Sequence, residues 1–213
     1  MRKKPKISIV INCHNGEQFL FKTLQSIAEQ SFKDFEVIFW DNRSTDRSKD
    51  IYKSFKDKRF KYFYVAKKTS LYEGRNLAIK KTKGKYISFV DTDDFWSPKK
   101  LKIQYECFKR ENIDIVYSNL WILKEQNGKK KLYINSYNKK KAIQTSILEN
   151  SSVTLLTSLI RKSVFSYNLK PFNKNYNHIG DLDFFFKLSQ KFKFKYLDKP
   201  LAYYRLHDTN LSK

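Results

Sequence analysis

Only two cysteines, five glycines and four prolines occur among the 213 residues. Cys13 and Cys107 lie far apart in the sequence and no CxxC pair exists, so the chain lacks the pattern of a disulfide scaffold or a structural zinc site and fits a reducing compartment. The few glycines and prolines argue against long linkers and low-complexity segments. Together with a hydrophobic content of 40%, these absences predict a single domain over residues 1–213.

Long hydrophobic runs are also missing. A membrane-spanning helix needs about 18 or more consecutive apolar residues, and no such run occurs. The first residues, MRKKPKISIVINCHN, start with the basic character of a signal peptide. Their apolar run ends at Asn12, which is too short, and no small-residue cleavage site follows. We therefore expect a cytoplasmic protein.

Acidic residues are scarce, with 21 Asp and Glu against 44 Lys and Arg, for a formal charge of +23. Lysines greatly outnumber arginines, whereas proteins that read nucleic acids rely on arginine forks, so we expect no nucleic-acid partner. The lysines are scattered, with short runs at 129–131 and 139–141. They are interpreted either as an ordinary solvated surface or as a peripheral contact with the anionic inner face of the cytoplasmic membrane.

Apolar runs alternate with helical patterns over the first 120 residues or so. Strands are predicted over 7–11, 35–40, 60–65, 86–90 and 113–120, and helices over 17–30, 46–55 and 74–82. A further helix is predicted from Ser97 as N-cap and Pro98 as first helical residue. The alternation predicts an α/β fold, with a mostly parallel, doubly wound sheet sandwiched by helices. After about Lys124 it stops, leaving the apolar run 153–160, a helix-like stretch at 181–190 and a strand-like one at 201–205.

The stretch FVDTDDFW, at 89–96, concentrates three carboxylates within four residues of this basic chain. Acidic residues before a helix often serve only as caps and dipole partners. Ser97 already takes the predicted cap position, so three carboxylates are more than a helix start requires. Mg²⁺ and Mn²⁺ bind carboxylates together with substrate phosphates. Asp91, Asp93 and Asp94 therefore predict a divalent-cation site.

Two more polar clusters, at 12–16 and 41–46, follow predicted strands, where open α/β sheets bind ligands. Asp41 and Asn42 have groups suited to a ribose hydroxyl or a base edge. The following residues have a simpler interpretation, in which Ser44 or Thr45 caps a helix with Asp46 in its first turn.

The stretch GDLDFFFKL, at 180–188, contains two aspartates with different expected surroundings. Asp183 and Lys187 are spaced for an exposed ion pair. Asp181 shares a helix face with two phenylalanines and a leucine, so we expect apolar surroundings that raise its pKa and make it a better base. Alternatively, Asp181 only caps this helix. His207 is either an ordinary surface residue or an imidazole ligand beside the aspartates, in a set that tolerates Mn²⁺.

Taken together, these stretches resemble the family 2 glycosyltransferases, inverting nucleotide-sugar enzymes with the GT-A fold. The resemblance is carried by KISIVINCHNGEQFL, SFKDFEVIFWDNRSTDRS, EGRNLAIKKTKGKYISFVDTDDFW, GDLDFFFKL and YRLHDTNLS. It implies that the nucleotide-sugar is bound by Asn12, His14, Asn15, Asp41, Asn42, Arg75, Asn76, Asp91, Thr92 and Asp93. It also implies that Mn²⁺ or Mg²⁺ is held by Asp93, Asp94 and His207, and that Asp181 is the catalytic base.

The same resemblance implies a donor-binding half over about 6–121 and a smaller acceptor-binding half over about 122–213. The donor would be a UDP-sugar or dTDP-sugar, and the acceptor a glycan or lipid-linked saccharide of a bacterial surface polysaccharide or lipooligosaccharide. Asn42, Arg43 and Gly180 depart from the family's usual Asp, Gly and Glu. The alternatives are a non-catalytic sugar-binding relative, a sugar-1-phosphate nucleotidyltransferase and a nucleic-acid-binding module.

Overall fold

A computed structural model describes residues 4–138, 140–167, 170–208 and 210. The strands are β1 Ile7–Cys13, β2 Phe35–Asp41, β3 Phe60–Tyr64, β4 Tyr86–Phe89, β5 Phe95–Trp96, β6 Ile115–Lys124, β7 Lys130–Leu132, β8 Leu159–Arg161 and β9 Phe194–Leu206. The helices are α1 Glu17–Ala28, α2 Ser48–Ser54, α3 Leu71–Lys81, α4 Lys100–Arg110, α5 Ile143–Asn150, α6 Ser163–Ser166 and α7 Gly180–Ser189. None of these helices is long and apolar enough to cross a membrane.

The nine strands of the described residues form one sheet in the order β3-β2-β1-β4-β8-β6-β9-β5, and β7 pairs with the C-terminal part of β6, beyond the residues that pair with β8. The first four strands in this order are parallel, which confirms the predicted doubly wound arrangement. β8 runs antiparallel to both of its neighbours, and β5 and β7 also pair antiparallel. These three short strands are not predicted from the sequence, because two or three residues are too few to show a periodic pattern.

Side chains of the central strands alternate between two hydrophobic cores, one on each face of the sheet. In β1, Ile9 and Ile11 pack with α1 and α4, whereas Val10 packs with α3, α5 and α7 on the opposite face. A strand covered on both faces has a continuous run of apolar residues, as seen at 7–11. The layered α/β expectation is therefore confirmed.

The helix predicted to start at Ser97 starts later. α4 begins at Lys100, with Lys99 at the N-cap position and no side-chain cap. The reason is β5, because the chain is still engaged with β9 at this point and the Ser97 N–H donates to the Leu201 carbonyl at 2.9 Å. The prediction that Ser97 caps this helix is therefore wrong.

α3 begins at Leu71, three residues before the predicted start, because Ser70 caps it with a hydroxyl that accepts the Glu73 N–H at 3.3 Å. Parallel β1, β2 and β4 bring the loops that follow them to one edge of the sheet. The end of β9 reaches the same edge, since the Arg205 N–H donates to Asp94.

Candidate active site

A cleft of about 630 Å³ opens at this edge of the sheet, within the size range of small-molecule sites. Eleven of the sequence-predicted site residues line it, namely Asn12, His14, Asn15, Asn42, Arg75, Asp91, Thr92, Asp93, Asp94, Asp181 and His207. They come from chain positions nearly 200 residues apart. Asp41 and Asn76 do not line the cleft.

Arg75 joins two of the carboxylates in the cleft. Its Nη2 donates to both oxygens of Asp91 at 2.9 and 3.0 Å, and its Nη1 donates to Asp181 Oδ1 at 2.8 Å. Arg75 is only 3% exposed. The two carboxylates raise its pKa and outweigh the opposing effect of burial, so this buried guanidinium stays charged.

Asp181 lies in the first turn of α7. The expectation of apolar surroundings is wrong for its carboxylate, which faces Arg75, although Phe184 and Phe185 beneath it are buried. Burial raises the pKa of Asp181, with Arg75 opposing and Asp91 adding to the shift. Asp183 forms the predicted exposed pair with Lys187 at 2.8 Å. The two aspartates of one helix thus differ in environment as expected from the sequence, and burial raises the pKa of Asp181 as expected, but its carboxylate faces a guanidinium.

Asp93 and Asp94 form a second acidic group. Asp93 Oδ2 lies 3.1 Å from Nε2 of His207, and burial followed by Asp91 raises the pKa of Asp93 against the effect of His207. Asp94 is 3% exposed and its Oδ1 accepts the Arg205 N–H at 2.9 Å. Burial and the neighbouring Asp93 raise the pKa of Asp94 well above its usual range.

Two residues that the sequence analysis missed hold this carboxylate loop in place. The hydroxyl of Thr23, on α1, lies 2.8 Å from the Thr92 carbonyl and 2.7 Å from the Asp94 carbonyl. Arg205 Nε donates to the Asp93 carbonyl at 2.8 Å. Thr23 could have been found from the sequence, since it is a polar residue on the apolar stripe of an amphipathic helix.

The side chains of the cleft provide only part of the ligand set of a divalent cation. The described residues contain no group of three or more His, Cys, Asp or Glu side chains arranged to hold a metal. Asp93 and His207 supply an oxygen and an imidazole ligand at one point of the cleft, and Mg²⁺-type sites commonly use one or two carboxylates plus substrate phosphates. The residues therefore fit a cation that shares its ligands with a bound diphosphate.

Where the cleft borders the ends of β1 and β2, two asparagines fix the chain that leads into α3. Asn42 donates to the Thr69 carbonyl at 2.8 Å and accepts the Thr69 N–H at 2.9 Å. Asn12 donates to the Leu71 carbonyl at 3.0 Å. Nearby, Lys68 Nζ lies 2.7 Å from His14 Nε2, which places a cationic group at this end of the cleft.

Asp41 is 1% exposed and shapes the loop after β2 instead of facing the cleft. Its carboxylate accepts the Ser44 N–H at 2.7 Å and the hydroxyl of Tyr62. The alternative in which Ser44 or Thr45 caps the next helix is wrong, because α2 begins only at Ser48 and has Arg47 at its N-cap position.

Asn76 also points away from the cleft. It donates to the Phe172 carbonyl at 2.7 Å and accepts the Phe172 N–H at 3.1 Å. It therefore ties α3 to the segment that precedes α7. Its implied role in nucleotide binding stays a prediction, as does that of Asp41.

Comparisons with known proteins agree with this architecture. A sequence model described as "Glycosyl transferase family 2" matches residues 8–178. The Escherichia coli protein "UDP-Glc:alpha-D-GlcNAc-diphosphoundecaprenol beta-1,3-glucosyltransferase WfaP" is 34% identical over 123 residues, which are 56% of this chain and 47% of that protein.

Two solved structures show the same fold. Staphylococcus aureus TarS in complex with UDP-GlcNAc gives a TM-score of 0.78 at 20% identity, over 96% of this chain and 60% of that chain. Mannosyltransferase PcManGT from Pyrobaculum calidifontis in complex with GDP-Man and Mn²⁺ gives 0.70 at 12% identity, over 99% and 59%. The GT-A fold is thereby confirmed, and this chain spans less than two thirds of each of these three proteins.

Proposed function

Because the chain belongs to glycosyl transferase family 2, we propose that it transfers a sugar from a nucleotide-diphosphate donor to a hydroxyl of a glycan or lipid-linked saccharide. The observation that carries this proposal is the cleft, in which the Asp181 carboxylate and the Asp93–His207 pair line one cavity of suitable size. A base that activates the acceptor hydroxyl and a cation that stabilises the departing diphosphate both promote displacement at an anomeric carbon.

Asp181 acts in this proposal as the general base. It takes the proton of the acceptor hydroxyl while that oxygen forms its bond to the anomeric carbon. The bond from this carbon to the diphosphate breaks at the same time, and the nucleoside diphosphate leaves with the bonding electrons. A single displacement inverts the anomeric configuration, so an α-linked donor gives a β-glycoside. Burial raises the pKa of Asp181, which makes its carboxylate a stronger base than an ordinary aspartate.

The remaining residues of the cleft bind and orient the substrates. Arg75 fixes the direction of the Asp181 carboxylate. Asp93 and His207, with Asp94 beside them, would hold Mn²⁺ or Mg²⁺, and such an ion neutralises charge on the departing diphosphate. Asn12, Asn42 and His14 line the end of the cleft proposed for the nucleoside.

A UDP-sugar is the favoured donor and a dTDP-sugar the alternative. The name of the E. coli relative supports UDP-glucose, and the TarS structure contains UDP-GlcNAc. The same relative acts on a diphosphoundecaprenol-linked sugar. We accordingly propose a lipid-linked or glycan acceptor in the synthesis of a bacterial surface polysaccharide or lipooligosaccharide.

The test has a binding step and a turnover step. UDP with Mn²⁺ is expected to raise the unfolding temperature by several degrees, more than dTDP, GDP or CDP, since a ligand at 100 times its Kd stabilises by about 2.7 kcal/mol. UDP-glucose turnover with a GlcNAc-diphosphoundecaprenol acceptor is then measured. Asp181→Asn should reduce turnover roughly 100- to 10,000-fold, whereas the matched control Asp183→Asn, on the same helix, should stay within about twofold. No shift with any of the nucleotides, or equal activity of the two variants, would contradict the proposal.

Peripheral contact with the cytoplasmic face of the membrane is also proposed, from the exposed lysines at 129–131. Lys141 of the second predicted run pairs with Glu149, and Lys139 lies outside the described residues. Each lysine near an anionic surface contributes about 1 kcal/mol. Flotation with anionic vesicles at low salt should therefore recover the protein, and equal recovery with neutral vesicles would contradict this.

A further inference from the structure

The first residue of α7, Gly180, is in unusually close contact with another helix. Its N–H donates to the hydroxyl of Tyr72 at 2.9 Å. A Cβ atom added at Gly180 would lie 2.4 Å from the Tyr72 ring, far inside van der Waals contact. The phenol ring and the glycine backbone therefore fill adjoining space that leaves no room for a side chain at this position.

Tyr72 is itself held firmly. It is 3% exposed on α3 and its ring lies near-parallel to that of Phe172, with centroids 5.9 Å apart. It precedes Arg75 by three residues, so both project from one side of the helix toward α7. α3 therefore makes two hydrogen bonds to the first turn of α7. Arg75 donates to the Asp181 carboxylate, and the Tyr72 hydroxyl accepts the backbone N–H of Gly180.

No side-chain cap defines the start of α7. The first N–H groups of a helix lack intrahelical partners and are usually satisfied by a cap, but Ile179 at the N-cap position provides no side-chain hydrogen bond. The Tyr72 hydroxyl satisfies one of these donors from a neighbouring helix. The position of the first turn is therefore set by a tertiary contact.

We infer that Tyr72 is a positioning residue for Asp181, and that the missing side chain at Gly180 is the condition for this contact. Tyr72 fixes where α7 begins, and so the direction in which the next carboxylate enters the cleft. The family's usual Glu before the catalytic Asp would collide with the Tyr72 ring here, which accounts for the glycine. The inference rests on the proposed function, since positioning has meaning only if Asp181 is the base.

The decisive variant is Tyr72→Phe, which keeps the ring and removes the acceptor. With UDP-glucose as donor, kcat per folded molecule should fall about 10-fold or more while the donor KM changes little, because misplacing a reacting group by about 1 Å can cost 100-fold. The unfolding temperature should also fall, because the buried Gly180 N–H loses its acceptor. Tyr105→Phe, on α4 away from the cleft, is the matched control and should leave kcat unchanged. A purely structural role of Tyr72 would lower the unfolding temperature and leave kcat per folded molecule unaffected.

A second variant tests the steric half of the inference. Gly180→Ala should reduce kcat more than Tyr72→Phe does. Tyr72→Ala opens the space, so the double variant Tyr72→Ala/Gly180→Ala should lose less than the product of the two single losses. If the kcat loss of the double variant equals the product of the two single losses, the steric contact between Gly180 and Tyr72 does not limit kcat, and this half of the inference is wrong.

The contact can also be followed without activity. Because the chain has only five glycines, ¹⁵N-glycine labelling gives a simple amide spectrum in which the Gly180 signal should move in Tyr72→Phe and not in Tyr105→Phe. Full activity of Tyr72→Phe, or an unmoved Gly180 signal, would overturn the inference and leave the proposed function standing. An inactive wild-type protein would instead remove the proposed function, and this inference with it.

Discussion

The cleft holds its carboxylates in two contrasting ways. Asp91 and Asp181 share the guanidinium of Arg75, a cation that the protein itself provides and buries between them. Asp93 and Asp94 lie on the other side of the same loop. Within the described residues, no lysine or arginine side chain forms an ion pair with either of them, and Asp93 contacts only the imidazole of His207 in this way.

This difference separates two uses of negative charge. A carboxylate pair with a built-in cation has fixed geometry, which suits a base that must point in one direction. Burial raises the pKa values of Asp93 and Asp94, and Asp91 adds to the shift at Asp93 while Asp93 adds to the shift at Asp94. Burial also raises the pKa of Asp181, but there the guanidinium of Arg75 opposes the shift. A cation from outside would stabilise Asp93 and Asp94, and this is the role proposed above for Mn²⁺ or Mg²⁺ in a protein with a formal charge of +23.

Removing the built-in cation should have the largest effect. Arg75→Met leaves Asp91 and Asp181 facing each other, and transfer should fall at least about 100-fold because the base is no longer oriented. The free energy of unfolding should fall by about 1–3 kcal/mol, less than for a fully buried pair, because the side chains of Asp91 and Asp181 are 48% and 34% exposed.

Arg75→Lys is the matched control. A lysine keeps the charge but cannot form the fork to two carboxylates, so it should recover part of the stability and little of the activity. Wild-type activity in Arg75→Lys would show that charge alone matters and would remove the first half of the comparison. Urea denaturation and donor turnover measure the two quantities.

Removing the expected ligand of the external cation should have the next largest effect. UDP at 100 times its Kd stabilises the folded protein by about 2.7 kcal/mol in total. Asp93→Asn should abolish the part of this stabilisation that depends on Mn²⁺ and leave the metal-independent part. Arg75→Met should keep the Mn²⁺ effect. An undiminished Mn²⁺ effect in Asp93→Asn, measured by thermal unfolding, would place the cation elsewhere.

Lys100 extends the comparison from buried carboxylates to a buried amine. It is completely buried, and its Nζ donates to the Ser88 hydroxyl at 3.0 Å and lies 4.1 Å from the centre of the Trp96 ring. No carboxylate in the described residues forms an ion pair with it, and burial lowers its pKa well below 10.5. The unfolded chain therefore binds a proton that the folded chain lacks, between the folded pKa and 10.5.

Stability should consequently rise with pH across that window, by up to about 1.4 kcal/mol per pH unit. Lys100→Met should be more stable than the wild type, by a margin that shrinks as pH rises towards 10.5. Urea denaturation at several pH values between 7 and 10 measures the slope. Parallel pH profiles of the two proteins would show that Lys100 stays charged when buried.

The sequence predicted the first half of the fold well, because buried parallel strands have long apolar runs and their polar ends mark the ligand edge. The sequence also predicted that Asp91, Asp93 and Asp94 lie at that edge. It could not predict that Arg75 lies between Asp91 and Asp181, since these residues meet only where α3, the loop after β4 and the first turn of α7 come together. The antiparallel β8 was invisible for a related reason, as its three residues pair according to their neighbours and not to any pattern of their own.

Asn42, Arg43 and Gly180 differ from the residues usual in the family, and the structure explains two of these three differences. Gly180 is explained by the Tyr72 ring, and Asn42 by three hydrogen bonds with Thr69, one of which only an amide can donate. Arg43 is not explained by a contact with the cleft, which it does not line. It has a φ of 63°, in the left-handed region where a side chain is strained and glycine is not.

Arg43→Gly should therefore have the smallest effect, and one of opposite sign. Relief of the left-handed strain, offset by the greater entropy of a glycine in the unfolded chain, should stabilise the protein by about 1 kcal/mol or less. Because Arg43 lies on the loop after β2 and away from both acidic groups, turnover of UDP-glucose and the Mn²⁺ effect should stay unchanged. A lower affinity for UDP in this variant would mean that Arg43 reaches the nucleoside end of the cleft when donor is bound. In that case a third, cationic region would have to be added to the two acidic ones.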